Sequence, residues 1–276
     1  MRRLVLGASA VLATAIGSAA VADTLDDIME RGTIVVGLDP TFAPYEFTTD
    51  DGAITGYDPS LLEAIAEDMG VDVEYRVMAF SGIIPGLIAG SFDFTATALN
   101  VTAERAERIS YTMPVSQTVN GVLRRVGDER VNGDDPASLV GLTAAVKQSS
   151  TPERVVQEAS AALDEDGTGT IKTLSVETTE QTVTALATGR ADFLVDDMSV
   201  LTAVMAGRPD LFEVAGSLGA TDYIAWGVRQ DDTALLEAIN AGLAGLKEDG
   251  TMAALQEEFL GLTFELPETD FIPAAE

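Results

Sequence analysis

Three short stretches of the chain concentrate the side chains that could do chemistry. Thr102-Ala-Glu-Arg105 sets an arginine at the start of a helical turn, directly after an apolar strand. A guanidinium is planar and offers two parallel N–H donors, a fork that fits a carboxylate and that lysine lacks. Ser149-Ser-Thr151-Pro-Glu153 opens another helix, and the free N–H groups of a helix start hold anions with help from the dipole. Asp196-Asp197 follows the apolar run Phe193-Leu-Val195, and ligands of open α/β sheets lie at the carboxyl ends of strands. Each stretch alone also has an ordinary reading: a solvated arginine, Thr151 as a helix cap, and two surface acids in an acidic chain.

What the chain lacks narrows the chemistry. Histidine is absent, which removes the commonest general acid–base group near neutral pH. Cysteine is absent too, which excludes disulfides, thiolate metal sites, a cysteine nucleophile and a lipid-modified N-terminal cysteine. No catalytic residue, metal or cofactor is expected. Acidic residues number 45 against 16 basic ones, for a net charge of −29. Such a surface repels phosphate backbones and anionic lipid heads, so nucleic acid and membrane surfaces are not expected partners. At the start, Arg2-Arg3, an uncharged apolar run over 4–16 and Ala20-Val-Ala22 form the three regions of a Sec signal peptide. Residues 1–22 are expected to be cleaved before Asp23. The run is shorter than the roughly 18–20 apolar residues of a membrane span, and no second such run follows, so stable membrane insertion is not expected. Secretion without a lipid anchor points to the periplasm of a double-membrane envelope.

The elements that must position these groups alternate strand and helix, as in α/β units with mostly parallel sheets. Thr33-Ile-Val-Val-Gly37 reads as a buried strand. A helix is predicted from Asp58 as its N-cap, with Pro59 at the first position and Gly70 closing it. Residues 71–77 follow as a strand, a helix capped by Ser81 runs to Gly90, and 92–99 is the strand before Arg105. An extended segment over 119–125 leads into a looser acidic stretch, and the alternation restarts. Strands are predicted over 142–146, 171–176 and 191–195, with helices from Thr151, over 178–189 and over 198–206. A second extended segment covers 223–228, and helices over 233–247 and 252–260 follow. Roughly 250 residues beyond the signal exceed a typical single core. With no Gly/Ser/Pro linker between the halves, the pattern predicts two α/β lobes crossed twice by the chain. Lobe 1 is expected to take 23–120 with 224–276, and lobe 2 to take 121–223.

Three stretches resemble the amino-acid-binding branch of the periplasmic solute-binding proteins, family 3, especially its glutamine- and histidine-binding members. They are Gly37-Leu-Asp-Pro-Thr-Phe-Ala-Pro-Tyr-Glu-Phe47 with Gly56-Tyr-Asp58, then Phe80-Ser-Gly-Ile-Ile-Pro85 running to Thr102-Ala-Glu-Arg105, and Gly189-Arg-Ala-Asp192 leading to Asp196-Asp197. Their order and spacing match the family over essentially the whole chain after the signal. The resemblance implies a type II periplasmic-binding fold, in which mostly parallel sheets in two lobes are joined by hinge strands near 119–122 and 222–225. It implies that Arg105 grips a ligand α-carboxylate, aided from the other lobe by Thr151. Asp197 would bind the α-ammonium with main chain near Ala98 and the side chain of Asn100. Phe42 and Phe80 would wall the ligand's stem, Lys147 would reach its side-chain end, and Asp39 would face the same pocket. Two positions depart from the glutamine-binding pattern: Asn100 replaces a small hydroxyl residue, and Asp196 stands where histidine is usual. Glutamine-like and basic amino acids are therefore the ligand leads. The implied partner is a membrane ABC permease, with the binding protein itself a monomer. The alternative is a dehydratase of the same fold, for which Asp39 or Asp196 would have to transfer a proton.

Overall fold

The protein is described by a computed structural model over residues 24–274, so the leader and its cleavage site before Asp23 lie outside the described residues. Strands β1 (Thr33–Leu38), β2 (Thr41–Phe42), β3 (Glu46–Thr48), β4 (Ile54–Thr55), β5 (Asp72–Val77) and β6 (Phe94–Asn100) alternate with helices α1 (Thr24–Arg31), α2 (Tyr57–Met69) and α3 (Ile83–Ile88). The short α4 (Ala103–Ala106) and β7 (Ser110–Tyr111) come next, then the long β8 (Ser116–Arg125). Beyond it lie β9 (Thr143–Lys147), α5 (Thr151–Glu165), β10 (Lys172–Val176), α6 (Thr179–Ala187), β11 (Phe193–Asp197) and α7 (Met198–Gly207). Strand β12 (Phe212–Val228) returns to the first half, where α8 (Thr233–Glu248) and α9 (Thr251–Leu255) follow.

The main sheet runs β10-β9-β11-β8-β12-β6-β1-β5, with β7 on β12, and β2-β3-β4 form a small second sheet. Strand β1 is parallel to β5 and β6, while β9 is parallel to β10 and β11. Strands β8 and β12 are antiparallel to each other and to the strands they flank. They form the ribbon that joins the two parallel groups, which makes this the two-lobed type II architecture. The ribbon shifts register between Val214 and Ser217 and again between Leu218 and Thr221.

Each lobe has its own core. Around α2, β6 and α8, Tyr57, Leu61, Phe94 and Trp226 are fully buried, the last two rings 6.0 Å apart. In the other lobe, Ala144, Val146, Phe193 and Val195 share one core, while Ala145 and Leu194 enter another. Successive side chains of a strand point to opposite faces, so β9 and β11 are buried on both and read as continuous apolar runs.

Four local features differ from the sequence pattern. Helix α2 starts at Tyr57 rather than after a cap at Asp58, because Gly56 takes the N-cap position at φ 127°. That left-handed region favours glycine, and a Cβ at Gly56 would meet the Tyr45 carbonyl. Asp58 is thereby carried into the core. Ser81 caps nothing, since a 3-10 turn over Phe80–Gly82 feeds α3. Ser150 rather than Thr151 caps α5, its hydroxyl accepting from the Glu153 N–H at 3.2 Å. Strand β12 is far longer than 223–228, because Gly216 and Gly219, at φ 106° and 78°, sit in its two register shifts and weaken the strand signal, while Val214, Ser217, Leu218, Thr221 and Asp222 pair with β8.

The consequence for function is geometric. Asp39 follows β1, Ala98 and Asn100 close β6, Lys147 closes β9, and Asp196 and Asp197 close β11. Four parallel strands, two from each lobe, aim their carboxyl ends at one cleft.

Candidate functional site

Arg105 is fixed from its backbone outward. Thr102 caps α4, its hydroxyl accepting from the Arg105 N–H at 3.1 Å. The guanidinium Nη1 donates to the Asn100 carbonyl at 3.0 Å and Nη2 to the Ser149 carbonyl at 3.0 Å. Its Cζ lies 5.5 Å from the centre of the Phe80 ring. Ser149 turns its carbonyl this way from a left-handed backbone, φ 62°, a conformation that costs a non-glycine residue about 1–2 kcal/mol. Two of the five guanidinium N–H groups are thus placed, and three remain for an anion. Burial lowers the Arg105 pKa from its ordinary value, which is high enough for the group to stay charged. Thr151 lines the same cavity as Arg105, and its buried hydroxyl has no partner among the described residues.

A second, much smaller cavity adjoins the first through Phe80 and Ser150; Phe42, Ala98, Asn100, Lys147, Pro152 and Asp196 complete its wall. The Lys147 Nζ lies 2.7 Å from Asp39 Oδ2, each side chain only 4% exposed. The ammonium also donates to Thr41 Oγ1 at 3.3 Å and sits 5.2 Å and 5.1 Å from the centres of the Phe42 and Phe80 rings. Ring faces attract a cation most when water is excluded. Asp39 is held in turn, accepting from the Thr41 hydroxyl at 2.8 Å and the Phe80 N–H at 3.1 Å. The Asp39–Lys147 pair and the Arg105–Ser149 hydrogen bond both cross from one lobe to the other. The cleft is closed.

The acids at the end of β11 are the least satisfied groups in the site. Neither carboxylate oxygen of Asp197 has a partner among the described residues. Burial raises its pKa well above the carboxylate range, and Asp196 and Asp222 push the same way, against Asn100 and Arg105. Asp196 accepts from the Asp197 N–H at 2.9 Å through Oδ1, while its Oδ2 is unpartnered. Burial pushes Asp196 up to about 6, eased by that N–H and by Lys147.

The fold therefore brings Phe42, Phe80, Ala98, Asn100 and Lys147 into one cavity wall, with Arg105 and Thr151 in the wall beside it. Asp39 reaches the cavity through Lys147. Asp197 lines neither wall, but faces the side chain of Asn100, the residue whose backbone carbonyl accepts from Arg105. Sequence reasoning missed the Ser149 carbonyl, the Ser150 cap and Tyr111, whose hydroxyl donates to the Asn100 carbonyl at 3.0 Å. Only Ser150 left a signal, the capping-box spacing to Glu153. It also missed a buried acid pair beneath β6. Glu46 accepts from the Thr97 hydroxyl and, at 3.4 Å, from the Ala98 N–H, and faces Asp58. Burial raises both acids, Asp58 to about 7.

Two lobes closing over a polar cleft with aromatic walls are the architecture of a protein that captures a small solute. The model of the bacterial extracellular solute-binding proteins, family 3, matches residues 34–262, and the chain belongs to that family. The arginine-binding protein ArgT of Corynebacterium glutamicum is 32% identical over 192 residues, covering 69% of this chain and 62% of that protein. Among solved structures, a mutant of ArgBP from T. maritima superposes with a TM-score of 0.78 at 30% identity, over 86% of this chain and 99% of that one. An ancestral amino-acid-binding protein, described as a precursor of cyclohexadienyl dehydratase, superposes with a TM-score of 0.77 at 28% identity, over the same shares of the two chains. Among the described residues no helix is long and apolar enough to cross a membrane.

Proposed function

We propose that this chain is a periplasmic binding protein that captures one free amino acid between its lobes and presents the closed form to an ABC permease. One observation carries it: Arg105 on one side of Asn100 has donors to spare, and Asp197 on the other has a carboxylate without partners. A guanidinium and a carboxylate placed so suit the two ends of an α-amino acid, the guanidinium by its bidentate fork. Phe42 and Phe80 wall the side chain, Thr151 supports the carboxylate, and Ala98 and Asn100 support the ammonium. Lobe 1 comprises 23–120 with 224–276 and lobe 2 comprises 121–223, the β8–β12 ribbon bending where its register shifts. A ligand that touches both lobes stabilises the closed form, since only that form offers every contact at once. The relatives named above are binding proteins, which supports binding over a dehydratase activity. The monomer is the form proposed to meet the permease.

Thermal denaturation of the mature protein with each of the twenty amino acids tests this directly. A ligand at 100 times its Kd adds about 2.7 kcal/mol, or roughly 5–11 °C for a protein of this size. A rise with one or a few amino acids is expected. No rise with any of them, or a rise only with sugars or inorganic anions, overturns the proposal.

A further inference from the structure

We infer that Asp196 is the specificity-determining residue of the cleft, and that it selects amino acids whose side chain ends in a cationic N–H group. This role presupposes that the cleft takes an amino acid, as proposed above, and it names which class.

The charges of the cleft match one against another, with one exception. Arg105 would meet the ligand carboxylate and Asp197 the ligand ammonium. Lys147 and Asp39 answer each other at 2.7 Å inside the protein, with Thr41 and the two aromatic rings completing the lysine's surroundings. Asp196 is then the remaining acid, 2% exposed, in the wall of the side-chain cavity. Among the described residues no cation lies within ion-pair distance of it, and its Oδ2 accepts no hydrogen bond. The Thr179 hydroxyl is near enough to ease its ionisation, yet closes no hydrogen bond of normal geometry. Lys147 eases its ionisation but is paired with Asp39, and a buried carboxylate without a counter-charge in contact is costly. A ligand guanidinium or ammonium supplies that charge and the missing donor together. A neutral amide supplies the donor alone. A ligand carboxylate would add a third negative group beside Asp196 and Asp197.

Calorimetry with L-arginine, L-lysine, L-ornithine, L-glutamine and L-glutamate on the wild-type mature protein and on Asp196→Asn decides it. At least one cationic amino acid is expected to bind wild type tenfold or more tighter than glutamine, with glutamate weakest. In Asp196→Asn the ratio of cationic to glutamine affinity should shrink tenfold or more. Glutamine binding wild type as well as every cationic ligand removes Asp196 from this role, and so does a preference unchanged by the substitution. Either result leaves amino-acid capture standing. Failure of all twenty amino acids to bind wild type overturns the capture itself. The wild-type comparison stands alone if circular dichroism finds the variant unfolded.

Discussion

Replacing Arg105 tests the cleft most directly, and its size can be worked from the structure. The Asn100 carbonyl that Arg105 holds also accepts from Tyr111 at 3.0 Å, so alanine at 105 does not orphan it. The fold should survive the loss. What should disappear is the proposed pair of charge-assisted hydrogen bonds to the ligand carboxylate, about 1.5–3 kcal/mol each. Removing one partner of a buried ion pair costs about 3–5 kcal/mol, and the two figures agree. At about 1.4 kcal/mol per tenfold, Arg105→Ala should weaken binding by roughly two to four decades. Arg105→Lys keeps the charge and loses the fork, so about half of that loss, one to two decades, should remain. Isothermal calorimetry with the amino acid that most raises the wild-type melting temperature gives both numbers, and circular dichroism checks the fold. An alanine variant that binds within threefold of wild type would refute the role of Arg105 as carboxylate anchor.

Two further outcomes follow from the buried charges. Lys147→Met leaves Asp39 with its hydrogen bonds but no cation, and should disfavour the closed form by about 3–5 kcal/mol; small-angle scattering should show a larger radius of gyration, largely restored by adding Asp39→Asn, and a single variant as compact as wild type would mean that the pair does not hold the lobes. Stability should fall as pH rises from 5 to 8. Asp58 at about 7, Asp196 at about 6 and the raised Glu46 and Asp197 hold protons in the folded state that the unfolded chain releases near pH 4. A raised folded value gives stability that is full below the unfolded value and is lost through the folded one. Scanning calorimetry should therefore find the highest melting temperature toward pH 5, with a shallower fall in Glu46→Gln, and a melting temperature that climbs with pH contradicts this.

The fold was legible where burial and period agree. Strands β9 and β11 read as unbroken apolar runs because both faces are covered, and α5 announced itself by Pro152 and a polar entry. The length of β12 was not legible, since its middle residues are held by β8 rather than by their own propensity. Asp58 was misplaced for a similar reason: a carboxyl before proline reads as a cap, and only the left-handed Gly56 behind Tyr45 reveals that the helix has already begun. In the site, side chains with a strong chemical type stood out, whereas the Ser149 carbonyl is backbone chemistry that no residue type advertises. The Glu46–Asp58 pair escaped because two acids twelve positions apart look like surface charge until the small sheet folds one over the other.

The cleft contains two kinds of contact, and their difference decides how closure responds to ligand. Asp39 with Lys147 and Arg105 with the Ser149 carbonyl are complete within the chain, so they favour the closed form whatever is bound. Asp197, Thr151 and Asp196 are incomplete, and burying them without partners opposes closure. The two sets pull against each other, so the balance between open and closed forms should respond to what fills the cleft. A ligand shifts such an equilibrium only by its differential affinity for the two forms. The groups that create that difference are the unpartnered ones, because they gain their partners only when both lobes meet the ligand. On this account the acids of β11 set the dependence of closure on ligand, and the latch between Asp39 and Lys147 sets the starting point from which the ligand must move it.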